Sequence, residues 1–316
     1  MSQSEQHRVA VIGAGTMGPG IALAFAIGGW SVDLIGRSAA RESSAFARID
    51  TSLTRLVEAG RLSRIDAEAA RARIAWHTGL ESAEPDWDLV IESILEDTDS
   101  KRALFRQLED LVGADTILAT NTSSLSIEEL MEDLQRPERF LGFHWLNPPE
   151  FVSLVEIVLG QGTSAETAAT TLAWAREIGK VPIRVAEDTP GFIINRLQYA
   201  LLREAFALVE AGVASFEDID AAMTAGLGAR WAVVGPFEGL DLGGLDVYTA
   251  VAPRLYGVLS CTEEASPVAT ELVADGIYGC KTGRGTRGVY ADGEAEALAK
   301  RRDEMLLAIA DLRTRR

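Results

Sequence analysis

Apolar and polar positions divide this chain into two parts of different rhythm. Through the first part, short apolar runs recur: Arg8-Val9-Ala10-Val11-Ile12, Ser31-Val32-Asp33-Leu34-Ile35, Asp88-Leu89-Val90-Ile91-Glu92, Thr116-Ile117-Leu118-Ala119-Thr120, Phe140-Leu141-Gly142-Phe143, Leu154-Val155-Glu156-Ile157-Val158 and Val181-Pro182-Ile183-Arg184-Val185. Runs this short and this continuously apolar predict strands buried on both faces. Between them, Ile21 to Ile27, the Ala-, Arg- and Glu-rich stretch 38–73 broken at Gly60, and a segment near 99–112 read as helices. Strands alternating with helices predict an α/β fold with a doubly wound parallel sheet covered on both faces. After Val185 the rhythm changes. Asp188-Thr189-Pro190-Gly191 is a turn and helix-start signal, and an apolar-periodic helix runs from Phe192 to Val209. Phe216 to Met223, Leu240 to Leu255 and Ala295 to Leu312 continue as helices separated by glycine-rich turns. An all-α C-terminal domain, 189–316, is expected after a domain spanning 1–188.

Composition narrows the function. A formal charge of −17 over 316 residues argues against nucleic acid as a partner, because phosphate binding needs a basic surface. The two cysteines, Cys261 and Cys280, have no metal-ligand spacing, so neither a disulfide framework nor a metal site is expected. The span Val9 to Trp30 is apolar but holds six glycines and has no basic segment before it. It fits a nucleotide-binding turn rather than a signal or membrane helix, and the cytoplasm is the expected location.

Gly13-Ala14-Gly15-Thr16-Met17-Gly18 follows the first strand and opens the first helix, the context that the dinucleotide fingerprint requires. The first glycine permits the tight turn, the second admits a pyrophosphate, and the third allows close packing of helix on strand. A Rossmann-type domain with Gly13, Gly15, Thr16, Met17 and Gly18 at the cofactor follows; the alternative is a glycine-rich turn without a ligand. The second strand ends Leu34-Ile35-Gly36-Arg37-Ser38, without the acid that usually bonds the adenosine ribose. Arg37 and Ser38 stand where a 2′-phosphate would sit, which favours NADP over NAD. The alternative is that Arg37 and Arg41 are solvated and NAD is used.

His144, one of three histidines, ends an apolar strand and opens the loop Trp145-Leu146-Asn147-Pro148-Pro149. Glu156 lies inside the next apolar strand, where a lone charge is costly. A His144–Glu156 pair across neighbouring strands would satisfy the carboxylate and orient a general base, although a purely structural hydrogen bond fits equally.

With these residues, Thr120-Asn121-Thr122-Ser123-Ser124 and Asp188 through Arg196 make the chain resemble the 3-hydroxyacyl-CoA dehydrogenase superfamily over nearly its whole length. The resemblance implies a hydride transfer between a nicotinamide cofactor and the 3-hydroxyl of an L-3-hydroxyacyl-CoA or related 3-hydroxy acid. It implies His144 as base, Glu156 as its orienting carboxylate, and Ser123 and Asn195 at the reacting oxygen. Glu96, Lys101 and Asn121 would lie at the cofactor, and Asn147 at the substrate. Read without the family, Ser123 is a helix N-cap before Ile127-Glu128-Glu129-Leu130. Gly226 through Trp231, ahead of Gly235-Pro236-Phe237, resembles members acting on free 3-hydroxy acids, such as gulonate and carnitine dehydrogenases, with Arg230 pairing a substrate carboxylate or forming an ordinary ion pair. Residues 37–73 carry eight arginines against five acids, with Arg41, Arg48 and Arg55 one heptad apart on a face that would suit a phosphorylated nucleotide such as CoA, or solvent. Two rivals remain: a β-hydroxyacid dehydrogenase, for which no motif presents the necessary lysine, and a catalytically silent crystallin-like protein. Apolar Val233, Val234, Phe237 and Leu240 suggest a homodimer.

Overall fold

Eight strands form one sheet in the computed structural model, which describes residues 7–314. They are β1 (Arg8–Ile12), β2 (Ser31–Gly36), β3 (Ile74–Thr78), β4 (Leu89–Glu92), β5 (Ile117–Thr120), β6 (Phe140–Trp145), β7 (Leu154–Val158) and β8 (Val181–Val185), in the order β3-β2-β1-β4-β5-β6-β7-β8. The strand order reverses between β1 and β4, the switch point at which doubly wound sheets open a ligand crevice. Helices α1 (Gly18–Ile27), α2 (Ala39–Glu58), α3 (Arg64–Ala72), α4 (Thr98–Leu111), α5 (Ile127–Met131) and α6 (Ala165–Glu177) cover it.

The period-2 alternation of each strand separates two cores. Val9, Val11, Leu89, Ile91, Leu141, Phe143 and Trp145 face α1, with Ile21 and Phe25. Ala10, Ile12, Val90, Leu118 and Phe140 face the other way, with Phe105 and Leu108 of α4. Each fully buried side chain of this size contributes about 1.5–3 kcal/mol. His144 and Glu156 alternate with Phe143 and Ile157, so both lie on the α4 side.

Three features depart from the sequence pattern. β6 and β7 are antiparallel, whereas the remaining neighbours in the sheet are parallel, because a short loop joins them and only an antiparallel pair can be connected so briefly. β3 is a strand that its mixed pattern hides: it is an edge strand with only Ile74 fully buried. The small, Thr- and Ala-rich α6 carries little apolar periodicity, yet it is capped by Ser164 and packs on β7 and β8.

Contact density divides the chain into the units Met1–Asn195 and Arg196–Arg316. Helices α7 (Ile194–Glu210), α8 (Phe216–Ala221), α9 (Gly228–Trp231), α10 (Pro236–Gly243), α11 (Leu245–Tyr256), α12 (Pro267–Ala274) and α13 (Glu294–Thr314) follow the sheet, with a π-helical stretch Ala222–Leu227 leading into α9. The expected all-α character holds except for a two-stranded hairpin, β9 (Arg284–Gly285) and β10 (Gly288–Val289). Among the described residues, no helix is long and apolar enough to cross a membrane.

Candidate active site

The glycine loop behaves as its three glycines require. Gly13 has φ +115°, and a Cβ there would meet Ser93 O at 2.3 Å. A Cβ on Gly18 would meet Gly13 O at 1.7 Å, so helix and loop touch backbone to backbone. Around Gly15 there is nothing within 4 Å, and the residue is exposed at the head of α1. A tight turn, an open cradle and a helix N-terminus beside it fit a dinucleotide pyrophosphate. Arg48 of α2 braces the loop by donating to Gly15 O at 2.7 Å and to Thr16 O.

His144 and Glu156 stand directly opposite each other in the β6–β7 ladder. His144 Nδ1 lies 2.7 Å from Glu156 Oε2, with both side chains buried. A carboxylate only accepts, so Nδ1 donates and the lone pair rests on Nε2, the arrangement of an oriented base. The other carboxylate oxygen, Oε1, accepts from the Ile193 and Ile194 N–H groups at 2.9 and 3.0 Å. Glu156 therefore ties the imidazole to the first turn of α7, one residue before Asn195. Phe192 packs its ring 5.4 Å from that of His144 and is held at φ +50°. A non-glycine residue in the left-handed region costs about 1–2 kcal/mol, so its packing and its N–H bond to Thr189 O hold it there.

Asn195 and Ser123 also meet: Asn195 Nδ2 donates to Ser123 O at 3.2 Å. Ser123 is exposed, and it is not the α5 cap. Ser126 takes that place, accepting from Glu129 N at 3.1 Å while donating to Asp188 at 2.6 Å. This corrects the N-cap alternative for Ser123. The segment 122–124 is instead gathered by Glu96 Oε1, which accepts from Thr122 Oγ1 at 2.5 Å and from the Ser123 and Ser124 N–H groups at 2.9 and 3.1 Å. Burial pushes the Glu96 carboxyl upward, but Thr122, Lys101 and the Ser123 N–H together outweigh it and hold it below its ordinary range.

Lys101 is 1% exposed and donates to both oxygens of the fully buried Glu92 at 2.7 and 2.8 Å, with Glu96 at 3.2 Å. Burial raises the Glu92 carboxyl despite Lys101 and the Thr120 hydroxyl. Asn121 links the ends of β5 and β6, accepting from Trp145 N at 2.9 Å and donating to Ser93 Oγ at 3.3 Å. Glu92 and Phe192 belong to the site although no sequence motif marks them for it. For Glu92 the signal existed, since it is a charge at the end of an apolar strand, as Glu156 is within one; Phe192 carries no such signal.

The remaining expected positions lie on other elements. Arg37 and Ser38 are exposed beyond β2, and Ser38 precedes α2 without a capping bond from its side chain. Gly36 is packed under Trp76, whose ring a Cβ would meet at 2.0 Å. Asp33 is turned to Arg8, His77 and Trp87 at 3.2, 2.9 and 2.7 Å. Asn147 is exposed in the β6–β7 loop. Arg230 is exposed on α9 of the second unit. Among the described residues, no group of three or more His, Cys, Asp or Glu side chains could hold a metal ion.

The sequence matches the NAD-binding domain of 3-hydroxyacyl-CoA dehydrogenases over residues 8–189 and their C-terminal domain over 191–288. The chain belongs to the 3-hydroxyacyl-CoA dehydrogenase family. It is thus a dehydrogenase of this family with a nicotinamide cofactor, which sets aside the β-hydroxyacid alternative. Within the family it is 39% identical to a 3-hydroxybutyryl-CoA dehydrogenase of Clostridioides difficile, covering 87% of this chain and 96% of that protein. It is 36% identical to 5-formyl-3-hydroxy-2-methylpyridine 4-carboxylate 5-dehydrogenase of Mesorhizobium japonicum, over 96% of this chain and 97% of that protein. A crystal structure of a dehydrogenase with that activity, described as an NAD+-dependent dismutase, superposes with a TM-score of 0.89 at 35% identity, covering 97% and 98% of the two chains. (S)-3-Hydroxybutyryl-CoA dehydrogenase from Ralstonia eutropha superposes with 0.73 at 37% identity, covering 91% and 100%.

Proposed function

We propose that this dehydrogenase oxidises and reduces a small free hydroxy acid, or its carbonyl counterpart, without a CoA thioester. The His144 Nδ1 contact with Glu156 at 2.7 Å carries the catalytic part of the reading. The unprotonated Nε2 of His144 removes the hydroxyl proton, and Glu156 stabilises the imidazolium that results. The nicotinamide, when bound, supplies or accepts the hydride. Ser123 and Asn195 hold the oxygen that passes between alkoxide and carbonyl, contributing orientation and charge stabilisation. Glu96, with Lys101 behind it, holds the backbone on which Ser123 stands. In the reverse direction protonated His144 is the acid.

Two observations favour a free acid. The pyridine carboxylate dehydrogenase matches 96% of the chain, whereas the C. difficile 3-hydroxybutyryl-CoA dehydrogenase matches 87% of it. In the arginine row on α2, Arg48 is committed to the glycine loop rather than free for a nucleotide 3′-phosphate. Arg230 is the proposed partner of the substrate carboxylate. The identity to 3-hydroxybutyryl-CoA dehydrogenases supports the thioester as the second reading. Steady-state assays with (S)-3-hydroxybutyryl-CoA, free 3-hydroxybutyrate and hydroxymethyl- or formylpyridine carboxylates decide: kcat/KM highest on the thioester would overturn the first reading.

For the cofactor, Gly36, Arg37 and Ser38 leave no carboxylate to repel a 2′-phosphate, which supports NADP. The NAD+ dependence of the pyridine carboxylate enzyme supports NAD as the alternative. A homodimer through the second unit is supported by its apolar surface, with Phe237 and Leu242 each 79% exposed. Sedimentation of wild type and Phe237→Glu tests it: a monomeric wild type refutes the dimer.

A further inference from the structure

The loop between His144 and Glu156 is held from below by a lysine to which the proposed reaction gives no part. Lys180, at the entrance to β8, is 8% exposed. Its Nζ donates to Pro149 O at 2.6 Å and Val152 O at 2.8 Å. The same loop folds back on itself, with Phe151 N and Val152 N donating to Pro148 O at 3.1 and 2.9 Å. From the far side, Ser52 of α2 donates to Glu150 Oε1 at 2.5 Å. Gly20 in the first turn of α1 admits Pro149 and Glu150 so closely that a Cβ would lie 2.6 Å from Pro149 Cγ and 2.2 Å from Glu150 Oε2.

We propose that Lys180 is a positioning residue: by gathering two loop carbonyls it seats the Asn147-bearing loop against the start of α1, so that one clamp sets the substrate-facing loop on the helix that receives the cofactor. This rests on the dehydrogenase reading above. A buried ammonium is retained only where it is well bonded, and the two carbonyls meet that condition. Its surroundings fit a device for holding the loop rather than for chemistry. Glu150 is the charged neighbour, Trp145 of β6 offers its ring at 5.3 Å, and Ala175 of α6 offers a backbone carbonyl to Lys180 N. Burial lowers the amine to about 8 against the pull of Glu150, the direction expected for a cation held away from water.

The test uses the full-length chain and the variants Lys180→Met and Ser52→Ala, which release the loop from opposite sides. Amide hydrogen exchange at Phe151 and Val152 reads the clamp without any substrate. NADH or NADPH titration by fluorescence reads the cofactor site, and initial rates separate KM from kcat. Exchange at both amides should rise at least tenfold in Lys180→Met, and substrate KM should rise about tenfold, while dinucleotide affinity stays within twofold. Ser52→Ala should move both readouts in the same direction by less, and it carries the test if Lys180→Met does not fold. Unchanged exchange at both amides overturns the clamp. Faster exchange with an unaltered KM overturns the positioning role alone. A wild type that binds the dinucleotide but turns over none of the substrates overturns the dehydrogenase reading and the positioning role with it.

Discussion

Replacing Glu156 by Gln removes one charge and leaves nearly the same shape, which makes it the sharpest probe of the site. The carboxylate divides its work between its oxygens: Oε2 takes the His144 Nδ1 proton, and Oε1 takes the Ile193 and Ile194 N–H groups. A Gln can keep its oxygen toward the two N–H groups but then turns an NH2 toward Nδ1, which forces the other tautomer and cannot stabilise an imidazolium. A hydrogen bond to a charged group contributes about 1.5–3 kcal/mol. At about 1.4 kcal/mol per decade, kcat for oxidation should fall roughly ten- to 150-fold. Stability should change little, because the backbone donors keep their acceptor. Glu156→Ala loses all three bonds; leaving two half-buried N–H groups without their acceptor costs at most about 1–3 kcal/mol each, so this variant should lose stability as well as rate. The assay is initial rate in both directions, with urea unfolding of all three proteins. A Glu156→Gln enzyme within twofold of wild type in kcat would refute the pair as catalytic and leave it a structural bond.

Three other outcomes follow from particular contacts. Gly15→Ala enters open space, so it should fold as wild type yet weaken dinucleotide binding tenfold or more, whereas Gly18→Ala drives a Cβ into Gly13 O and should lower the unfolding midpoint; equal stability of the two would contradict the loop geometry. Gly36→Asp alone should bind neither NAD nor NADP better, because Trp76 fills the position its Cβ needs, while Arg37→Asp should shift preference from NADP towards NAD; isothermal titration with NAD and NADP decides, and a gain in NAD affinity in the single Gly36→Asp variant would show that Trp76 gives way. Lys180 titrates at about 8 in the fold against 10.5 ordinarily, so the unfolded chain binds more protons between those values and stability should rise with pH there, by up to about 3 kcal/mol. Urea midpoints of wild type and Lys180→Met at pH 7, 8.5 and 10 check this: a difference independent of pH would refute it.

Residue order alone determines much of this protein. Continuous apolar runs of four to six residues between helical segments leave a doubly wound sheet as the arrangement that buries both faces. Three glycines at fixed spacing specify the dinucleotide turn, because Gly13 and Gly18 have no room for a Cβ and Gly15 leaves open space for a pyrophosphate. A carboxylate inside an apolar strand, twelve positions after a strand-terminal histidine, announces a pair, because burial demands a partner. Other features depend on contacts between segments far apart in the chain, which no local pattern encodes. The reversal of β7 and β8, the edge strand β3, Trp76 over Gly36, and the clasp of Lys180 on the loop are of this kind. So is the share-out of Glu156 between His144 and the start of α7, where one buried carboxylate has room for three donors and only the packed chain delivers them.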